Sequence, residues 1–157
     1  MRIVLTLLLV LAGLLPAHAQ REEDFASRYL SLYGKHDALV CKTISPAMME
    51  RIMKLDTVRH DADARRVFAQ LKSIRFVTAP DTARTRELFA KAEDLARHNR
   101  RRYSAYAERD RLSIYVRRRG DVLLELVVLL VDPERQFNIL NFTGTMSEDF
   151  IRQVLNI

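Results

Sequence analysis

The stretch Arg111-Leu112-Ser113-Ile114-Tyr115-Val116-Arg117-Arg118-Arg119-Gly120-Asp121-Val122-Leu123-Leu124-Glu125-Leu126-Val127-Val128-Leu129-Leu130-Val131 decides the architecture. From Arg111 to Arg117 it alternates, with Leu112, Ile114 and Val116 on one face and Arg111, Ser113, Tyr115 and Arg117 on the other. That period of two belongs to a half-buried strand. Arg118-Arg119-Gly120-Asp121 carries turn chemistry, and Val122 to Val131 then runs apolar on both faces apart from Glu125. Asp132-Pro133-Glu134-Arg135 predicts a second turn and Phe137 to Thr143 a third strand, closed by Gly144. Strands joined this tightly must be antiparallel neighbours, because a parallel crossover needs about a dozen residues. A strand apolar on both faces belongs in the middle of its sheet, with helices over at least one side.

Upstream the apolar spacing is helical. Phe25, Tyr29 and Leu32 mark a short helix ending at Gly34, and Ala38 to Ile44 reads as a strand. Ser45-Pro46 starts the next helix, with Ser as cap and Pro at the first position, where its missing N–H costs nothing. Ala64 to Leu71 predicts a further helical piece, Ser73 to Val77 a strand, and Pro80-Asp81 the start of a helix reaching about Arg97. Downstream, Ser147 caps a last helix docked by Phe150, Ile151 and Val154. The pattern predicts one α+β domain over residues 20–157: a β-α-β first half, a three-strand meander and a C-terminal helix. Its sheet is mainly antiparallel, with about five strands and helices packed on at least one face.

Composition agrees with a folded domain. Of 157 residues 48% are hydrophobic and 29% charged, with four Gly and four Pro, which excludes collagen-like, low-complexity and wholly disordered chains. The single cysteine excludes an intrachain disulfide. At the N-terminus, Arg2, the apolar run Ile3 to Leu15 and Ala17-His18-Ala19 form the three regions of a signal peptide, residues 1–19, with cleavage between Ala19 and Gln20. The run is too short to cross a hydrocarbon core about 30 Å thick. No cysteine follows it at lipobox spacing, so a lipoprotein is not expected, and the mature chain holds no transmembrane segment. The expected location is the periplasm or another part of the cell envelope.

Motifs for catalysis are sparse. His60, Asp61 and Asp63 form the tightest group of metal-type ligands, but Asp at that place also suits helix capping, and no metal site is assigned. Cys41, mid-strand, reads as a small buried hydrophobe rather than a nucleophile. No glycine-rich phosphate loop occurs, and no cofactor is expected. Glu125 is the notable carboxylate: either a buried acid with a raised pKa, or, favoured, a strand-face carboxylate paired with an arginine across the hairpin.

Arginine outnumbers lysine 21 to 5 in a chain of formal charge +6. Arg97 to Arg119 alone holds nine arginines against Glu108 and Asp110, with Tyr103, Tyr106 and Tyr115 interleaved, so the rest of the mature chain is mildly acidic. Guanidinium groups bind phosphate and carboxylate in a bidentate fork. The candidate binding residues are Arg97, Arg100, Arg101, Arg102, Arg111, Tyr115, Arg117 and Arg119. Export argues against nucleic acid and points to an anionic envelope component or an acidic protein. The bland counterpart is a solvated basic surface whose arginine stems cover apolar area.

Three segments and a closing motif carry a family resemblance: Cys41-Lys42-Thr43-Ile44-Ser45-Pro46-Ala47-Met48-Met49, Leu71-Lys72-Ser73-Ile74-Arg75-Phe76, Gly120-Asp121-Val122-Leu123-Leu124-Glu125-Leu126 and Phe142-Thr143-Gly144. The chain resembles domain-of-unknown-function family number 4252, small exported proteins of Gram-negative bacteria. The resemblance implies an α+β domain without established enzymatic activity, sometimes encoded near extracytoplasmic sigma-factor systems, which suits an envelope sensor or adaptor. It transfers no catalytic residues. The leading function is therefore a non-enzymatic binding or adaptor module; the alternative is a small hydrolase or metal-dependent enzyme using Glu125 or the His60, Asp61 and Asp63 cluster.

Overall fold

The computed structural model describes residues 23–155. The expected signal peptide, with Ala19 and Gln20, lies outside the described residues. In chain order the elements are α1 (Phe25–Tyr33), β1 (Val40–Ile44), α2 (Pro46–Ile52), α3 (Asp56–Arg59), α4 (Ala62–Phe68) and β2 (Leu71–Ala79). A 3-10 turn (Thr82–Arg84) leads into α5 (Thr85–His98), followed by β3 (Ser104–Arg109), β4 (Leu112–Arg119), β5 (Val122–Val131), β6 (Phe137–Met146) and α6 (Glu148–Leu155). All strands join one antiparallel sheet in the order β1-β2-β6-β5-β4-β3. As its two-sided apolarity requires, β5 lies inside the sheet between β6 and β4.

The sheet has six strands where the sequence predicts about five. The additional one, β3, is an edge strand on which only Ala107 is even half-buried. Mostly exposed, it carries no apolar alternation from which a strand could be read.

Both faces of the sheet are covered by helices. On one, Phe25, Ala26 and Tyr29 of α1 and Leu88, Phe89, Ala92 and Ala96 of α5 pack on Val77, Val127, Leu129, Phe137 and Ile139. On the other, Met49 of α2 and Phe150 and Ile151 of α6 pack on Ile74, Ile114, Val116, Leu126, Val128 and Phe142. Consecutive strand residues serve opposite cores because the side-chain period of a strand is two.

Side-chain oxygens start three of the helices. Asp24 accepts from the Ser27 amide at the head of α1, Ser45 from Met48 ahead of Pro46 in α2, and Asp61 from Asp63 and Ala64 in α4. The β4–β5 turn places Gly120 at φ +60°, a left-handed value that glycine adopts without a Cβ penalty. Gly144 answers a different demand: a Cβ there would collide with the carbonyl oxygen of Gln70, where β2 and β6 approach at a register slip.

Candidate binding site

On the face that carries α1, cross-strand register sorts the sheet into rows. Val77, Ile139 and Leu129 make an apolar row; Arg75, Asn141, Val127 and Tyr115 the next; and Ser73, Thr143, Glu125 and Arg117 a fully polar one. The head of α1 ends above the polar rows.

Glu125 lies at the centre and is 0% exposed. Its Oε1 accepts from the Phe25 amide at 2.6 Å and from Asn141 Nδ2 at 3.0 Å. Its Oε2 accepts from Arg117 Nε at 3.0 Å and from the Tyr103 hydroxyl at 3.1 Å, with Arg102 Nη2 at 4.0 Å. Asn141 Oδ1 takes the Ala26 amide at 2.8 Å. Three successive amides of α1, those of Phe25, Ala26 and Ser27, thus find acceptors in Glu125, Asn141 and Asp24. Free amides at a helix head need such partners, and the helix dipole favours a negative charge there. Asp24 is itself held by Arg75 Nε at 2.7 Å, and that hydrogen bond raises the pKa of Arg75 further. Burial, then the Glu125 charge, pushes the Tyr103 hydroxyl well above the usual tyrosine range, so it stays protonated and donates.

Glu125 therefore takes the ion-paired form of the two the sequence allows, with Arg117 across the β4–β5 hairpin. Closed from solvent and occupied on both oxygens, it offers no face to a substrate.

Beside this network opens a cleft of about 930 Å³. Lys72, Ser73 and Arg75 of β2, Thr143 of β6, Arg117 and Arg119 of β4, and Glu23, Asp24 and Ser27 at the head of α1 line it. The strand register slips between Leu71 and Ser73 and between Leu123 and Glu125, so the lining residues Lys72 and Leu124 both sit at slips. Bulges of this kind re-aim side chains and concentrate near functional sites.

The basic segment is divided. Arg97 is engaged by Glu108 at 3.0 Å and Glu93 at 3.5 Å. Arg118 pairs with Glu148 on α6 at 2.6 Å. Arg102 donates to the Glu23 carbonyl, and Arg117 is tied to Glu125. Arg100, Arg101, Arg109, Arg111 and Arg119 are exposed, with no acidic partner among the described residues. Arg109 and Arg111 flank the β3–β4 turn, at the other end of β4 from Arg117 and Arg119.

Two expectations change. Tyr115, expected on the binding surface, is buried under α5 and gives its hydroxyl to Glu108 at 2.6 Å; burial, then that bond, raises its pKa. The alternation that put Tyr115 and Arg117 on one face was right, but α5 covers only the Tyr115 end. Cys41, expected buried, is exposed on β1, an edge strand of the sheet.

The His60 group does not assemble. The His60 ring bonds the Asp56 carbonyl, Asp61 caps α4 and Asp63 lies 3.7 Å from Arg66. Among the described residues no three His, Cys, Asp or Glu side chains are grouped to hold a metal ion. Also among them, no helix is long and apolar enough to cross a membrane.

Sequence reasoning missed Lys72, Ser73, Arg75, Asn141 and Thr143. In sequence each is only a polar residue beside an apolar strand neighbour; the parity that all but Lys72 share with Glu125 and Arg117 comes from the register.

Fold and cleft together define a small α+β protein, a six-stranded sheet between helices with a cation-lined cleft at one end. A family model described as a domain of unknown function (DUF4252) matches residues 33–154, and the chain belongs to that family. No curated protein and no solved structure matches it.

Proposed function

We propose that the chain is an exported envelope protein that works as a binding or adaptor module in envelope sensing, with an anionic envelope component as its partner. The N-terminal Arg2, the Ile3 to Leu15 run and Ala17-His18-Ala19 support export. The observation that carries the binding function is the uneven use of arginine. Arg75, Arg84, Arg97, Arg117 and Arg118 are matched to carboxylates, whereas Arg100, Arg101 and Arg119 stand exposed without one at the α1 end of β4 or on the loop leading to β3. Exposed cations lacking internal partners add nothing to the fold and attract anions from solution.

The test uses protein recovered from the envelope fraction, with an intact mass beginning at Gln20. On phosphatidylglycerol vesicles its retention should fall with rising salt, and Arg100→Gln/Arg101→Gln should weaken it more than tenfold, because each basic residue near an anionic surface contributes about 1 kcal/mol. Retention that ignores both salt and the substitutions overturns the electrostatic function. Salt-sensitive retention on an acidic protein but not on vesicles moves the partner to that class.

A further inference from the structure

We infer that the cleft beside α1 is a binding site for a phosphoryl-bearing ligand of head-group size. The inference deepens the anion-binding function by naming its site, and rests on it.

Two cations in the cleft differ from their neighbours. Arg75 and Arg117 are held by Asp24 and Glu125 and form a fixed floor. Lys72 and Arg119 are exposed, line the same cleft and have no acidic partner among the described residues. The register slip between Leu71 and Ser73 brings Lys72 to the cleft.

Hydroxyl chemistry points the same way. Ser73 Oγ and Thr143 Oγ1 lie 2.6 Å apart. Each hydroxyl has one hydrogen, and their mutual bond uses only one of the two, so the other remains for a further acceptor. A guanidinium, an ammonium and a hydroxyl line one cleft. A single guanidinium fork saturates the two oxygens of a carboxylate, whereas three donor groups of different geometry suit the three terminal oxygens of a phosphoryl group.

Size and lining set the rest of the ligand. At about 930 Å³ the cleft holds far more than the anion, within the range of about 300–1,000 Å³ usual for small-molecule sites. Glu23, Asp24 and Ser27 also line the cleft, Asp24 with its charge matched by Arg75, so the adjoining part of the ligand carries hydroxyl or amino groups, as in a glycerol, sugar or ethanolamine phosphate.

The experiment compares wild type, Lys72→Gln/Arg119→Gln, Arg100→Gln/Arg101→Gln and, as the outside control, Arg109→Gln at the other end of β4, using glycerol 1-phosphate by calorimetry and phosphatidylglycerol vesicles by co-sedimentation. The substituted side chains are all exposed, and circular dichroism with thermal melting checks that each variant stays folded. Saturable binding of glycerol 1-phosphate, weakened at least tenfold by Lys72→Gln/Arg119→Gln and less than twofold by the control, supports the site with a soluble ligand. Vesicle retention lost in Lys72→Gln/Arg119→Gln, without soluble binding, supports it with a lipid-borne head group. Retention that depends on Arg100 and Arg101 alone overturns the cleft and leaves the broader function standing. No binding of either probe by wild type overturns both.

Discussion

The face of the sheet beneath α1 is built in two ways within a few residues of the same strands. Towards α5, Val77, Leu129, Phe137 and Ile139 close a dry core; towards the head of α1, Ser73, Thr143, Glu125 and Arg117 form a polar row on β2, β6, β5 and β4. The dry half is held by burial, which is non-directional and tolerates exchange of similar shapes. The polar half is held by directed bonds, so it fixes where the first turn of α1 must sit. A buried ion pair is a poor source of stability, since a well-packed apolar replacement is often neutral or better. What the polar half secures is position: it anchors α1 and stiffens Arg75 and Arg117 on the floor of the cleft.

Removing the centre of each half separates the two designs. Glu125→Ala leaves Arg117, Tyr103, Asn141 and the Phe25 amide without their acceptor. Breaking a buried pair from one side costs about 3–5 kcal/mol. Leu129→Ala, fully buried in the dry half, costs about 2–5 kcal/mol through lost transfer energy and the cavity left behind. Urea unfolding reads both losses, and amide exchange distinguishes their reach. Glu125→Ala should deprotect α1 well before the central strands, while Leu129→Ala should lower protection across the sheet. Equal exchange profiles would show that the two halves unfold as one unit and that α1 is not separately anchored.

The boundary between the halves and the cleft can be probed at Gly144. An added Cβ meets backbone, the Gln70 carbonyl, rather than a side chain that could swing away. Overpacking of this kind costs about 1–3 kcal/mol. Gly144→Ala should therefore destabilise moderately and, because Gly144 also lines the cleft, disturb the spacing of Lys72 and Thr143. A melting temperature equal to wild type would show that the β2–β6 approach is slack at that point.

The dry half was legible because burial leaves a period in the sequence. Val122 to Val131 and the stripe Leu88, Ala92 and Leu95 marked the central strand and the long helix. The polar half left no period of its own. Ser73, Asn141 and Thr143 read singly as ordinary solvent-facing strand residues, and only the register, which aligns Ser73 with Thr143 and Thr143 with Glu125, makes them a row. Register depends on long-range pairing, which a local pattern does not encode. Edges were obscure for the opposite reason: β3 and Cys41 are so exposed that burial imposes nothing on their residue types. Glu125 with Arg117 was the exception, because a charge inside an apolar strand needs a partner and the hairpin placed one opposite.

Ion pairs at the surface provide the weakest contrast with the buried network. At the start of α5, Glu87 receives Arg84 at 2.7 Å and Lys91 at 2.9 Å, and hydrogen bonds from Arg84 first and Lys91 second lower its pKa from 4.5 to about 2. A carboxylate whose folded pKa is depressed contributes stability that is fully present above its unfolded value, near 4.5, and is lost as pH falls towards about 2. Glu87→Gln removes that contribution and leaves nothing to titrate. The gap in melting temperature between wild type and Glu87→Gln should thus be constant above pH 5, narrow on acidification and close near pH 2. Because Glu87 is exposed, solvent and salt screen it, so the gap should stay smaller than that for Gly144→Ala and shrink further in 1 M salt, where the Debye length is about 3 Å. Calorimetric melts at several pH values and two salt concentrations read all of this. A gap that widens on acidification reverses the sign of the linkage, and one that survives 1 M salt intact shows that Glu87 acts through packing rather than charge.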